Sequence, residues 1–272
     1  MAKLLLNKKN PYIDLYDPNI LFPIARNEKR VAIGISEPII FQGVDIWRAY
    51  EMSWLNLKGK PQVAIGEFVF SCSSKFLVES KSLKLYLNSL NQTKFATIKV
   101  VEQLISKDLS KVTDSYVHVK LKFLSAIRQV ISKPFQGYCL DNLDIECNYY
   151  KVCPTFLSVE NRIVNEIIFS NLLKSNCLVT QQPDWGSIQI KYYGKKINKA
   201  GLLRYLVSYR QHNDFHEQCV ERIFMDLMRY CAPMRLFVYA KYTRRGGIDI
   251  NPIRFVSQNR PWCIKKRRDI RQ

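Results

Sequence analysis

Laid over one another, the two halves of this sequence read alike. Tyr86-Leu87, Ser89 and Gln92 align with Tyr205-Leu206, Ser208 and Gln211, and Phe95 aligns with Phe215. The patterns around those positions recur in the same order. In the first half "VAIGEFVFSC" and "KFLVES" read as paired strands, and "SLKLYLNSL" and "ATIKVVEQLISKDL" as helices with apolar spacing. "YVHVKLKFLSA" follows as a strand by its alternation. In the second half "CLVTQQ" and "SIQIKYY" read as strands, "AGLLRYLVSYR" and "HEQCVERIFMDLMRYC" as helices, and "MRLFVYAKY" and "IDINPIRF" as closing strands. Such self-similarity is the mark of a duplicated module.

Two modules of this kind predict an α+β layer architecture, with antiparallel sheet on one side and helices on the other. The modules are expected to span residues 1–150 and 151–272. Between them "SKPFQGYCLDNLDIECNYYKVCPTF" carries Pro, Gly and Asx turn signals among many apolar residues, which predicts an ordered crossover rather than a loose tether. With 272 residues, 47% of them apolar and 12% aromatic, each module can bury a core of ordinary size.

The halves differ at positions that carry chemistry. Opposite His216-Glu217 the first half has Ala96-Thr97; opposite Glu79-Ser80-Lys81 the second has Asn198-Lys199-Ala200. Each half keeps part of a site, so a pocket shared between modules is expected, with an idle first half as the alternative. Cys177 precedes a β-rich run to Thr180, and Gln181, Gln182 and Pro183 predict a turn that returns Asp184 beside it. A thiolate is the strongest common side-chain nucleophile near neutral pH, and a neighbouring acid can protonate the atom that gains electrons. Taken alone, a Cys at a strand is more often a small buried apolar residue, and Asp before Trp-Gly a turn former.

Composition narrows the function classes. A net charge of +19 suits either plain solubility or a field for phosphate-bearing ligands, and the tail "KKRRDIR" is its densest run. The eight cysteines sit in a long chain with no C-x-x-C pair, so free thiols are expected and a structural zinc site is not. His212 and His216 are four apart, but Asn213 and Asp214 read as a helix N-cap that breaks any shared face. The "LLL" at positions 4 to 6 is too short for a signal peptide, and no run approaches a membrane span, so a cytoplasmic protein is expected. No G-x-G-x-x-G follows a strand, so a Rossmann domain is not predicted.

Three strings, in this order, bear a specific resemblance: "FLVESKSLKLYLNSLNQTKF", "SNCLVTQQPDWGSIQI" and "FHEQCVERIF". The chain resembles the NADPH-dependent 7-cyano-7-deazaguanine reductases, the nitrile reductases of queuosine biosynthesis, in their long two-module form. The resemblance implies tandem tunnelling-fold modules like those of GTP cyclohydrolase I, NADPH as cofactor, 7-cyano-7-deazaguanine as substrate and a homodimer. It implies Cys177 as the nucleophile that forms a thioimide, and Asp184 as the general acid, which requires a raised carboxyl pKa. Val78, Glu79 and Ser80 are expected to line the substrate, and Ser80, Lys81, Arg245 and Gly246 to contact NADPH. Glu217 suits the ring N–H and 2-amino group of a guanine-like base, and His216 substrate binding or a proton relay; read alone, both simply begin a helix. No metal is expected, and direct nucleic-acid binding is not; a silent tRNA-binding module and a zinc-dependent cyclohydrolase-like enzyme are the competing classes.

Overall fold

The computed structural model describes residues 13–127, 134–256 and 268–272. The Leu4–Leu6 run, Cys263 and the first three residues of the basic tail lie outside the described residues. The first half runs β1 (Pro23–Ala25), α1 (Arg26–Ala32), β2 (Gln42–Leu55), β3 (Pro61–Ser71) and β4 (Phe76–Val78). It continues with α2 (Ser80–Ser89), α3 (Ile98–Thr113) and β5 (His118–Phe123). A short β6 (Tyr138–Cys139) leads into β7 (Val159–Asn176) and β8 (Pro183–Ile197). Then come α4 (Lys199–Val207), α5 (His216–Cys231), β9 (Arg235–Tyr242) and β10 (Ile248–Phe255).

Eight strands form one sheet in the order β5-β3-β2-β10-β9-β8-β7-β6, antiparallel except where β6 runs parallel to β7. The two halves meet where β10 pairs with β2, from Ile248 opposite Ala49 to Phe255 opposite Gln42. The strands approach closely enough at Gly43 that a Cβ there would lie 1.9 Å from the Ile253 carbonyl oxygen. The architecture is mixed α+β with antiparallel sheet, as the repeated patterns predict.

Side chains alternate across this sheet as the pleat requires. Trp47 faces the first-half helices, packing with Phe68, Leu83, Val101 and Ile105, while its neighbour Ile46 points to the other face with Phe237 and Ile253. In the second half Ile188, Ile190 and Val238 pack beneath Leu206, Ile223 and Phe224 of α4 and α5. The repeat extends into buried polar detail. Tyr86 Oη donates to Asp108 at 2.6 Å and Tyr205 Oη to Asp226 at 2.7 Å. The Oγ atoms of Ser89 and Ser208 each donate at 2.6 Å to the carbonyl of the preceding tyrosine.

Some expected pairings are corrected. β3 pairs with β2, a strand not anticipated, and "KFLVES" supplies β4, which pairs with β1 instead of β3. The run "CLVTQQ" is a turn; the strand before it is β7, which ends at Asn176. The described part of the crossover, from residue 134 on, packs against the second half, with Leu140 buried in its core.

A buried ion network ties the halves together beneath the helices. Arg254 of β10 bonds Asp45 of β2 at 2.7 Å and Glu221 of α5 at 2.9 Å. From α1, Arg26 reaches Asp45 at 2.6 Å and Arg30 reaches Glu221 at 2.7 Å. Charges removed from water hold only where each is met by partners and hydrogen bonds, so these five residues fix α1, β2, α5 and β10 relative to one another.

Candidate active site

The β7–β8 hairpin presents two of the expected residues at its tip. Cys177 N–H donates to the Gln182 carbonyl and Gln181 N–H to the Cys177 carbonyl, each at 2.9 Å, which closes the turn with Gln181 in the left-handed region (φ 55°). Asp184 lies two residues into the paired hairpin, opposite Ser175, and is buried. Half-burial raises the cost of a thiolate at Cys177, but the Thr180 hydroxyl and the N–H groups of Thr180 and Val179 donate to the sulfur. Those donors outweigh burial and the nearby Asp184 carboxylate, and the thiol pKa is lowered.

Asp184 departs from expectation. Burial alone would push its carboxyl up, yet His216 and Arg245 beside it prevail and hold it below the ordinary carboxylate range. Arg245 Nη1 donates to Asp184 Oδ1 at 2.5 Å. His216 Nε2 stands 3.3 Å from Oδ2, close enough to act through charge but not aligned as a hydrogen bond. The raised pKa expected of a general acid is therefore not met: in this site Asp184 is an ionised carboxylate. Arg245 also donates to Thr180 Oγ1 at 3.0 Å and to Gln182 Oε1 at 2.7 Å, so it braces the whole turn. His216 stacks on the Tyr242 ring, with centroids 4.0 Å apart.

The helix N-termini supply the rest. Glu79 caps α2, accepting from the N–H groups of Lys81 at 2.9 Å and Ser82 at 2.7 Å. Glu217 lies in the first turn of α5, almost wholly buried, and Trp47 Nε1 donates to its Oε1 at 3.1 Å. Burial foremost, with the Asp45 carboxylate adding to it, pushes the Glu217 pKa up to about 7; His216 and Arg26 pull the other way. The expected helix cap differs: Phe215 precedes α5, and His212 lies outside the helix, 3.4 Å from Asp214. No group of three or more His, Cys, Asp or Glu side chains among the described residues is disposed to hold a metal ion.

These residues share one cavity of about 180 Å³. Val78, Glu79, Ser80 and Lys81 come from the first half; Cys177, Asp184, His216, Glu217 and Arg245 come from the second. Gly246, expected with them, follows Arg245 in the left-handed region (φ 54°), and a Cβ there would meet the Lys84 side chain. Among the further lining residues, Trp47 and Lys84 bring polar groups that were not singled out in sequence. Lys84 had a signal, since it stands one helical turn after Lys81 in "ESKSLK"; Trp47 had none nearby. Burial and then the Arg245 charge lower the Lys84 pKa, while Glu79, Cys177 and Asp184 act the other way.

Known proteins match across the same span. The family described as "Nitrile reductase, 7-cyano-7-deazaguanine-reductase N-term" matches residues 12–121, and that described as "QueF-like protein" matches residues 183–261. A protein of Legionella pneumophila (strain Lens) named NADPH-dependent 7-cyano-7-deazaguanine reductase is 56% identical over 251 residues, 92% of this chain and 88% of its own. One of the same name from Cupriavidus necator is 53% identical over 266 residues, 96% of either chain. The solved structure of the archaeosine synthase QueF-Like in the apo form overlaps 37% of this chain and 99% of its own, at TM-score 0.32 and 14% identity. Identity above one half, carried over nine-tenths of the chain and through both halves of the cavity, means that this chain belongs to the family of NADPH-dependent 7-cyano-7-deazaguanine reductases.

Proposed function

We propose that the shared cavity holds 7-cyano-7-deazaguanine with Glu217 against its base edge and reduces its nitrile by way of a covalent thioimide on Cys177. The reaction is the NADPH-dependent conversion of that nitrile to the primary amine of 7-aminomethyl-7-deazaguanine, in queuosine biosynthesis. The observation that carries the mechanism is the tip of the β7–β8 hairpin, which brings Cys177 into one cavity with Asp184, a carboxylate bonded by Arg245 at 2.5 Å.

A nitrile resists direct hydride addition because negative charge would build on nitrogen. Attack by the Cys177 sulfur converts it to a better acceptor. Proton bookkeeping closes within the hairpin: Asp184 takes the proton that Cys177 sheds, then gives it to the nitrile nitrogen as the carbon–sulfur bond forms. An ionised Asp184 suits that relay, whereas a permanently protonated one does not. His216, at charge-interaction distance, steadies Asp184 while the proton moves. Val78, Glu79 and Ser80 wall the substrate from the first half.

Taking a nitrile to an amine needs two hydrides, and NADPH, when bound, would supply one, so two NADPH are consumed per nitrile. Ser80, Lys81 and Arg245, joined by Lys84, line the cavity and with Gly246 beside Arg245 would hold its phosphates. The family's tandem tunnelling-fold modules, divided near residue 150, and a homodimer complete the proposal. Support comes from the open sheet: β5 and β6 end it without further partners among the described residues, and an unpaired edge invites a second copy.

Intact-mass spectrometry tests the mechanism. Wild-type protein given the nitrile without NADPH is expected to gain one adduct at Cys177, and Cys177→Ala to gain none and to lose turnover. An adduct on another cysteine, or a Cys177→Ala variant that turns over, rejects it.

A further inference from the structure

We propose that Trp47 is a positioning residue for base recognition: its indole N–H fixes the plane of the Glu217 carboxylate so that the two oxygens face the donors of a guanine-like edge. The proposal rests on Glu217 reading the base. Trp47 belongs to β2 of the first half and Glu217 to α5 of the second, and they meet across 170 residues at a buried bond of 3.1 Å. The ring cannot swing away, because it packs edge-on against Phe70 with centroids 5.5 Å apart and is only 3% exposed. An indole N–H can donate but never accept, so it favours a carboxylate over a carboxylic acid. An oxygen has two lone pairs, so accepting from Trp47 leaves Oε1 able to accept from substrate.

The surroundings make that donor matter. Asp45 on β2 faces Glu217 with like charge, whereas Arg26 on α1 and His216 on its own helix favour ionisation. Across the cavity stand Glu79, Lys81 and Lys84 on the α2 side and Asp184 with Arg245 on the hairpin side. Burial dominates these influences and leaves Glu217 titrating at about 7, where loss of one donor changes how much carboxylate is available. Trp47 thus acts on recognition without touching the reacting carbon.

Calorimetric binding of 7-cyano-7-deazaguanine, measured from about pH 6 to 9 in a Cys177→Ala background, tests the assignment. Trp47→Phe is expected to weaken binding about tenfold near neutrality and to move the pH of half-maximal affinity upward by about one unit. Because phenylalanine also leaves a gap, the sulfur isostere β-(3-benzothienyl)alanine at position 47 keeps the ring's shape and removes only the N–H; it should reproduce the pH shift even if Trp47→Phe misfolds. A loss uniform in pH with the isostere, or none, overturns the proposal and leaves Trp47 as packing. Glu217→Gln in the same assay separates the two ideas. If it binds like the parent at every pH, the reading of Glu217 fails; if it is impaired while the isostere behaves as Trp47, only the role of Trp47 fails.

Discussion

Asp184 is almost inaccessible to water, yet the contacts that surround it favour its charge. Arg245→Ala would remove a donor at 2.5 Å and a positive charge, leaving His216 alone to oppose burial, so the carboxyl pKa rises. If ionised Asp184 receives the Cys177 proton, the acid limb of adduct formation moves to higher pH in this variant. Stopped-flow traces of the nitrile adduct without NADPH check this, and an unmoved limb would detach Asp184 from proton transfer. Glu217 makes a prediction of the opposite sign. Its carboxyl titrates near 4.5 in the unfolded chain and at about 7 in the folded one, so the folded state keeps its proton longer. Its effect is absent below the lower value, grows as a destabilisation while pH rises through the interval, and reaches roughly 3 kcal/mol above the upper one. Glu217→Gln escapes that cost, so its melting temperature without ligand should exceed wild type increasingly between about pH 5 and 8; a gap independent of pH would contradict the shift. That Cys177, Asp184 and Glu217 share one cavity was legible from their local strings. Their charge states were not, because the deciding partners lie far off in sequence: Arg245 is 61 residues from Asp184, and Trp47 is 170 from Glu217.

At the scale of elements, the junction of β2 with β10 depends on a missing side chain. A Cβ on Gly43 would enter the backbone of Ile253, which no rotamer can avoid. Gly43→Ala is therefore expected to cost more than about 2 kcal/mol and to lower thermal stability and nitrile binding together, as the strands carrying Trp47 and Ile250 move apart. Calorimetric unfolding checks the first effect, and a variant with wild-type stability would show that the strands can separate without loss. The longer helices were legible because their apolar spacing is regular: α5 matches the stretch read as helical, α2, α3 and α4 overlap theirs with one end extending beyond it, and the short α1 was not read. Strands were harder for a physical reason. β2 shifts register between Ala49 and Met52, and β7 shifts twice, at Glu160 to Ile163 and Ser170 to Leu173. The one-residue bulges, at Ala49 to Met52 and Ser170 to Leu173, flip the alternation on which strand reading depends. The turn at Cys177 was misread in the other direction: Val179 and Thr180 favour strands, but hydrogen bonds across Cys177, Gln181 and Gln182 close the chain on itself.

Across the whole molecule, a single sheet and a buried ion network join the two halves, and the cavity takes walls from both. A chain ended after Tyr242 would lack Arg245 and the cavity residues Ile248 and Ile250, together with Arg254 of the network. It should bind no 7-cyano-7-deazaguanine and sediment as aggregate, and native-like binding would show β10 to be dispensable. The pairing of Ile248 with Ala49 also orders events before the protein exists as such. The two residues lie about 200 positions apart, so β2 leaves the ribosome long before its partner is made. At roughly 5–20 residues per second, that edge waits roughly 10–40 s with its hydrogen-bonding groups unmatched. Every newly made copy therefore passes through an interval in which a long strand is open to neighbouring chains. Translation speed and chaperone supply should for this reason govern how much of it reaches the native state.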